Sequence, residues 1–227
     1  MIGAMPTLDR SGDVFVLDLG DTENRFHPDW LTAVNAALDE VERAEGPRAL
    51  VTTATGKFFS NGLDLDWLAG HEAERGGYVS TVQHLLARLL ALPVPTVAAI
   101  QGHAFAAGAM LTLSHDVRVM RADRGFWCLP EVDLGMPFAA GMSALIRARL
   151  TPQAAHEAMV TGRRYGGGDA LAAGIVDQVA DEDRVRESAL ELARPHVAKA
   201  GANLAAIKVG MYGPVLDALR SPDPMLG

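Results

Sequence analysis

Apolar residues recur along this chain with two different periods. Short runs are apolar almost without interruption, at Asp13 to Leu19, Ala49 to Thr53, Thr96 to Ile100, Val117 to Met120 and Phe126 to Leu129. Runs of that length, bounded by Gly, Pro or Asp, predict strands, the inner ones fully buried. Between them apolar residues return every three or four positions. Pro28 stands where a first helical residue belongs, Trp30, Val34, Leu38 and Val41 follow at helical spacing, and Gly46-Pro47 stops the helix. Val82, Leu85, Leu86, Leu89 and Leu90 give Tyr78 to Ala91 a strong helical face, and Ala106 to Ser114 reads as a helix of small residues. From Ser143 the pattern is helical over Ala144 to Leu150, Pro152 to Val160, Asp169 to Ala173, Glu182 to Ala198 and Asn203 to Leu219. One short strand, Ile175 to Val179, interrupts it. Strands alternating with helices predict an α/β fold with a parallel sheet and crossovers. Residues 1–180 are expected to form the core, and the strand-poor residues 181–227 a helical layer or oligomer interface.

Composition narrows the partners. The 227 residues include 28 Asp+Glu against 20 Lys+Arg, a net charge of −8, and 49% are hydrophobic, which is a globular balance and excludes a disordered chain. The acid excess disfavours nucleic acid and anionic membrane as partners. Leu89 to His115 carries no charged residue and is long enough to cross a bilayer, but Pro93, Pro95, Gln101, Gly102 and His103 divide it into pieces of a buried core. Cys128 is the single cysteine, and no Cys/His spacing suggests zinc, so neither a metal nor a cofactor is expected. No secretory pattern opens the chain, and Met225-Leu226-Gly227 is not a Ser-Lys-Leu address. A reducing, cytoplasmic compartment is the expectation.

Familiar catalytic signatures (GxSxG, HExxH, Walker A) are absent, and Gly166-Gly167-Gly168 reads as a turn. Two strand-following loops remain, Phe58-Phe59-Ser60-Asn61-Gly62-Leu63-Asp64 and Gly102-His103-Ala104-Phe105-Ala106-Ala107-Gly108. In a parallel sheet both emerge at the carboxyl edge, where ligands bind. Gly62 and Gly108 allow close backbone approach, so peptide N–H groups there can converge on one oxygen, or the loops are ordinary turns. A third segment, Leu129-Pro130-Glu131-Val132-Asp133-Leu134-Gly135, places a carboxylate among apolar neighbours just past a strand. Such a group is a general base with a raised pKa, or a helix N-terminal acid.

Together these segments resemble the crotonase (enoyl-CoA hydratase/isomerase) superfamily. The match runs in order from Val14-Phe15-Val16-Leu17-Asp18 and Glu23-Asn24-Arg25-Phe26 to Asp169-Ala170-Leu171-Ala172-Ala173-Gly174-Ile175-Val176. The resemblance implies a spiral of ββα units, a trimer or dimer of trimers closed by C-terminal helices, and an acyl-CoA thioester as ligand, with coenzyme A part of the substrate. It makes the backbone N–H groups of Leu63 and Ala107 the oxyanion donors and Glu131 the catalytic base. Met110 stands where the hydratases carry their first glutamate, which leaves a lone glutamate as in the Δ3,Δ2-enoyl-CoA isomerases. The motif wording looks like the peroxisomal and plant-type members. Ser60, Asn61, Gly62, Asp64, Gly108, Met110, Leu134, Met136 and Phe138 are the expected substrate contacts, with Arg25 and Lys57 toward the CoA phosphates. The expected activity is isomerisation of 3-enoyl-CoA to 2-enoyl-CoA in fatty-acid β-oxidation. A hydratase, thioester hydrolase or decarboxylase of the same superfamily, or a non-catalytic acyl-CoA-binding subunit, are the alternatives.

Overall fold

The computed structural model describes residues 5–222, so Met225–Gly227 lie outside the described residues. In chain order the elements are β1 (Thr7–Ser11), β2 (Val14–Asp18), α1 (Pro28–Arg43), β3 (Ala49–Thr53), β4 (Phe58–Ser60), α2 (Leu65–Ala69), α3 (Arg75–Leu90), β5 (Thr96–Ile100), β6 (His103–Phe105) and α4 (Ala107–Leu113). There follow β7 (Val117–Arg121), β8 (Trp127–Cys128), α5 (Ala140–Arg149), α6 (Pro152–Thr161), α7 (Gly167–Ala172), β9 (Gln178–Ala180), α8 (Val185–Ala193) and α9 (Ala202–Arg220).

The main sheet has the order β1-β2-β3-β5-β7-β9, with an antiparallel β1–β2 hairpin and parallel pairing elsewhere. Its inner strands are buried on both faces, which is why they read as continuous apolar runs. Phe15, Leu17, Leu50, Ala98 and Ile100 face the large core shared with α1, α3, α4 and α5. Val14, Val16, Ala49, Val51, Val97 and Ala99 face the other way, where Val185, Ala189 and Ala193 of α8 cover them. α9 packs across α3 and α5. The charge-free stretch resolves into the end of α3, β5, β6 and α4, and no described helix is long and apolar enough to cross a membrane.

A second sheet, β4-β6-β8, all parallel, does not follow from the hydrophobic pattern. Each of β3, β5 and β7 leads directly into one of its strands and then onward to helix. These are the ββα turns that the resemblance implied. The loops expected to leave the main sheet leave this small sheet instead.

Candidate active site

The small sheet delivers three segments to one carboxyl edge. β4 runs into Asn61–Asp64, β6 into Ala106–Gly108, and β8 through Leu129 into a 3₁₀ turn at Pro130–Val132. Parallel register fixes their spacing, with Phe105 opposite Cys128 and the Ala106 N–H donating to the Cys128 carbonyl at 3.0 Å. Ala106 has φ +50° and ψ −126°, a conformation L side chains rarely adopt, and strain of that kind gathers where a loop must present a group.

Gly62 and Gly108 bring the first two loops into backbone contact. A Cβ on Gly62 would lie 2.7 Å from the Ala107 nitrogen, and one on Gly108 2.3 Å from the Ser60 carbonyl oxygen. Bulk at either position meets the opposite loop. Among the described residues, neither the Leu63 N–H nor the Ala107 N–H has an acceptor.

A cavity of about 350 Å³ opens beside them. Of the expected site residues, Arg25, Asn61, Leu63, Ala107, Met110, Glu131, Leu134, Met136 and Phe138 line it. Sequence reasoning missed Leu65, Val79, Phe105 and Met142, which add to the wall from α2, α3, β6 and α5. Met110 is fully buried on α4, whereas Leu134, 52% exposed, sits at the rim.

Ser60, Gly62, Asp64 and Gly108 stay out of the lining and build its support. Ser60 Oγ donates to the Asn24 carbonyl at 2.8 Å and accepts the Gly62 N–H at 3.0 Å. Asp64 caps α2 by accepting the Trp67 N–H at 3.2 Å. Lys57 lies elsewhere, over the Phe58 ring and on a separate cleft with Arg121 and Arg124. Arg25 is at the cavity but is ringed by acids, pairing with Glu23 at 2.5 Å, with Asp66, and with Asp64 at 3.7 Å.

Glu131 is the buried carboxylate of the cavity, 7% exposed, and its Oε2 has no partner among the described residues. Burial pushes its pKa up from 4.5 to about 7, against a smaller lowering by its own backbone N–H. Between those values the folded chain keeps a proton that the unfolded chain has released, so stability falls as pH rises through this window. Above about pH 7 the full cost applies, on the order of 3 kcal/mol. Glu131→Gln is therefore expected to unfold at a higher temperature than the parent near pH 8 and at a similar one near pH 4. Thermal melts at both pH values check this, and a constant difference would contradict it.

Residues 10–221 match the enoyl-CoA hydratase/isomerase family. The chain belongs to that family. This family member is 40% identical over 222 residues to enoyl-CoA delta isomerase 2, peroxisomal, of Arabidopsis thaliana, covering 92% of both chains. Its fold superposes on the apo enoyl-CoA isomerase of Mycobacterium tuberculosis with a TM-score of 0.85 at 33% identity, covering 95% and 94% of the two chains. Against the human mitochondrial delta3-delta2-enoyl-CoA isomerase the TM-score is 0.83 at 27% identity, covering 95% of this chain and 86% of that one. The fold is the crotonase-like α/β spiral expected from the motifs. The cytoplasmic expectation is corrected by the same comparison, because the Arabidopsis relative is peroxisomal by name. Its basis was a single cysteine and the lack of a secretory pattern, which bear on redox state and secretion but do not select among intracellular compartments.

Proposed function

We propose that this enoyl-CoA hydratase/isomerase family member shifts the double bond of 3-enoyl-CoA to 2-enoyl-CoA with Glu131 as its single base. The observation that carries the reading is one buried carboxylate, its Oε2 without a partner among the described residues, sharing a cavity with two acceptor-free backbone N–H groups. Removing the C2 proton of a 3-enoyl thioester gives a dienolate whose charge gathers on the thioester oxygen. Donors preset for that oxygen, Leu63 and Ala107, stabilise it, each worth about 3 kcal/mol in comparable sites. Glu131 then returns the proton at C4, and the product is conjugated. The hydratases of the superfamily activate water with two glutamates, and the position of the first is here the buried thioether of Met110, which disfavours water addition. The 40% identical plant relative is named as a delta isomerase, which supports the same direction. Asn61, whose Oδ1 is buried without a partner, Met136 and Phe138 contact the acyl thioester. Arg25 meets CoA phosphates by exchanging its carboxylate partners for phosphate oxygens. Coenzyme A enters and leaves as part of the substrate.

A base must be ionised to accept the C2 proton. Protonation below its pKa of about 7 therefore makes kcat/KM for 3-hexenoyl-CoA fall about tenfold per pH unit on the acid side. Above that pH the rate levels. A profile flat from about pH 5 to 8 would contradict Glu131 as the base.

Assembly into a homotrimer is part of the proposal. Ile207, Val209 and Met211 of α9 are 51%, 46% and 65% exposed, whereas Leu219 of the same helix is consumed by the chain's own core. Ile207 and Met211 lie one turn apart on one exposed face of that helix, which fits a subunit contact. Sedimentation at micromolar concentration is expected to give a trimer, and a stable 24.1 kDa species would contradict it.

A further inference from the structure

In the loop after β4, hydrogen bonds account for every backbone N–H but one. Asn61 N–H donates to the Glu23 carbonyl at 2.9 Å, Gly62 N–H to Ser60 Oγ at 3.0 Å, and Asp64 N–H to the Tyr78 hydroxyl at 2.8 Å. Only the Leu63 N–H, between them, lacks an acceptor among the described residues. That N–H shares a peptide plane with the Gly62 carbonyl, which accepts from the Phe26 N–H at 2.8 Å. In a trans peptide the N–H points opposite to the C=O, so anchoring the carbonyl aims the donor. The Phe26 carbonyl in turn accepts the Tyr78 hydroxyl proton at 2.9 Å. One phenol therefore grips both sides of this peptide, through Phe26 on one side and Asp64 on the other.

Tyr78 is well placed to hold that grip. It lies on the first turn of α3, 5% exposed, with its ring 5.1 Å from that of Trp67, and its neighbour Val79 lines the cavity. Burial raises its pKa to about 12, so the hydroxyl stays both donor and acceptor at working pH.

We propose that Tyr78 is a positioning residue for the oxyanion donor: by taking up the Asp64 N–H and fixing Phe26, it leaves the Leu63 N–H alone aimed at the thioester oxygen. This rests on the reading of the site given above. Without the hydroxyl, the Asp64 N–H is unpaired and the Gly62–Leu63 peptide loses one of its restraints. Preorganisation of the donor falls while the cavity wall stays unchanged.

Tyr78→Phe keeps the ring and removes both hydrogen bonds of the hydroxyl, from the Asp64 N–H and to the Phe26 carbonyl. We expect kcat for 3-hexenoyl-CoA to fall at least about tenfold, part of the 10²–10³ that one such donor carries, with KM changed less than about threefold. In infrared difference spectra, the carbonyl stretch of bound hexanoyl-CoA should move back toward its value in water. Tyr165→Phe is the control, since it removes a hydroxyl bonded to Glu157 at 2.7 Å, away from the cavity. It should alter stability without moving kcat or the carbonyl band. A ring-fluorinated tyrosine at position 78 keeps the fold, weakens the hydroxyl as an acceptor for the Asp64 N–H and strengthens it as a donor to the Phe26 carbonyl, so its band should shift by less than that of the Phe variant. Wild-type kcat and an unmoved band in the Phe variant, or a band moved as far in the fluorinated variant as in the Phe variant, would overturn the proposal. If the parent enzyme itself neither converts 3-hexenoyl-CoA nor shifts the bound carbonyl, the reading of the site fails, and the role of Tyr78 is not what failed.

Discussion

Glu131→Gln is expected to lower turnover of 3-hexenoyl-CoA at least ~100-fold, the low end for general acid–base catalysis. Glutamine keeps the size of the side chain and an oxygen for hydrogen bonding, but it cannot accept the C2 proton. The cavity wall and the two free N–H groups are untouched, so affinity for hexanoyl-CoA should stay within about tenfold, or ~1.4 kcal/mol. The variant should also be the more stable protein above neutral pH, so its inactivity cannot be ascribed to unfolding. Asp133→Asn supplies the comparison. The 3₁₀ turn carries Asp133 away from the cavity, with its carboxylate against Gly162 at the end of α6, and most activity should survive. Steady-state rates of the three proteins side by side decide the matter.

Gly108→Val is expected to cost at least ~100-fold in kcat, on the scale of losing one oxyanion donor. A Cβ there would lie 2.3 Å from the Ser60 carbonyl oxygen and 2.8 Å from Ser60 Cβ. Both are backbone-anchored, so the loops must separate, and the Leu63 and Ala107 donors move apart with them. Overpacking of this kind also destabilises by about 1–3 kcal/mol. Gly168→Ala is the contrast, because a Cβ there meets nothing within 4 Å. It should leave activity unchanged. Equal activity of the two variants would mean that the loops are turns without a catalytic geometry.

The long buried elements were legible because their own residues specify them. Pro28 begins α1, and β3 and β5 have the bounds that their apolar runs predict. Elements held by partners were not. β1, Thr-Leu-Asp-Arg-Ser, is a half-exposed edge strand with almost no apolar pattern, and it exists because Val14–Asp18 pairs with it. β4 and β6 are three residues long, below the reach of any periodicity, whereas β8 lies inside the apolar run Phe126 to Leu129 that predicts a strand. The helix expected over Glu182 to Ala198 ends as α-helix at Ala193, and a 3₁₀ run carrying Pro195 follows, since proline cannot continue the i−4 ladder. At the site, the two loops and Glu131 could be found from glycines, a proline and one acid. Tyr78 and Asn24 could not. Asn24 Nδ2 donates to the Phe58 carbonyl 34 positions away and the Tyr78 hydroxyl to the Phe26 carbonyl 52 positions away, and nothing local in the sequence marks such a contact. The same limit explains Ser60, Gly62, Asp64 and Gly108, whose place in the loops was evident while their role as supports needed the second loop beside the first.

The central claim is that one carboxylate moves a proton within the substrate and adds no water. Incubating the parent enzyme separately with 3-hexenoyl-CoA and 2-hexenoyl-CoA, and resolving the products by chromatography, tests it most directly. The expected result is conversion of 3-hexenoyl-CoA to the conjugated 2-enoyl thioester, with 3-hydroxyhexanoyl-CoA forming from neither at a comparable rate. Rapid hydration of 2-hexenoyl-CoA with 3-hexenoyl-CoA left unchanged would contradict it.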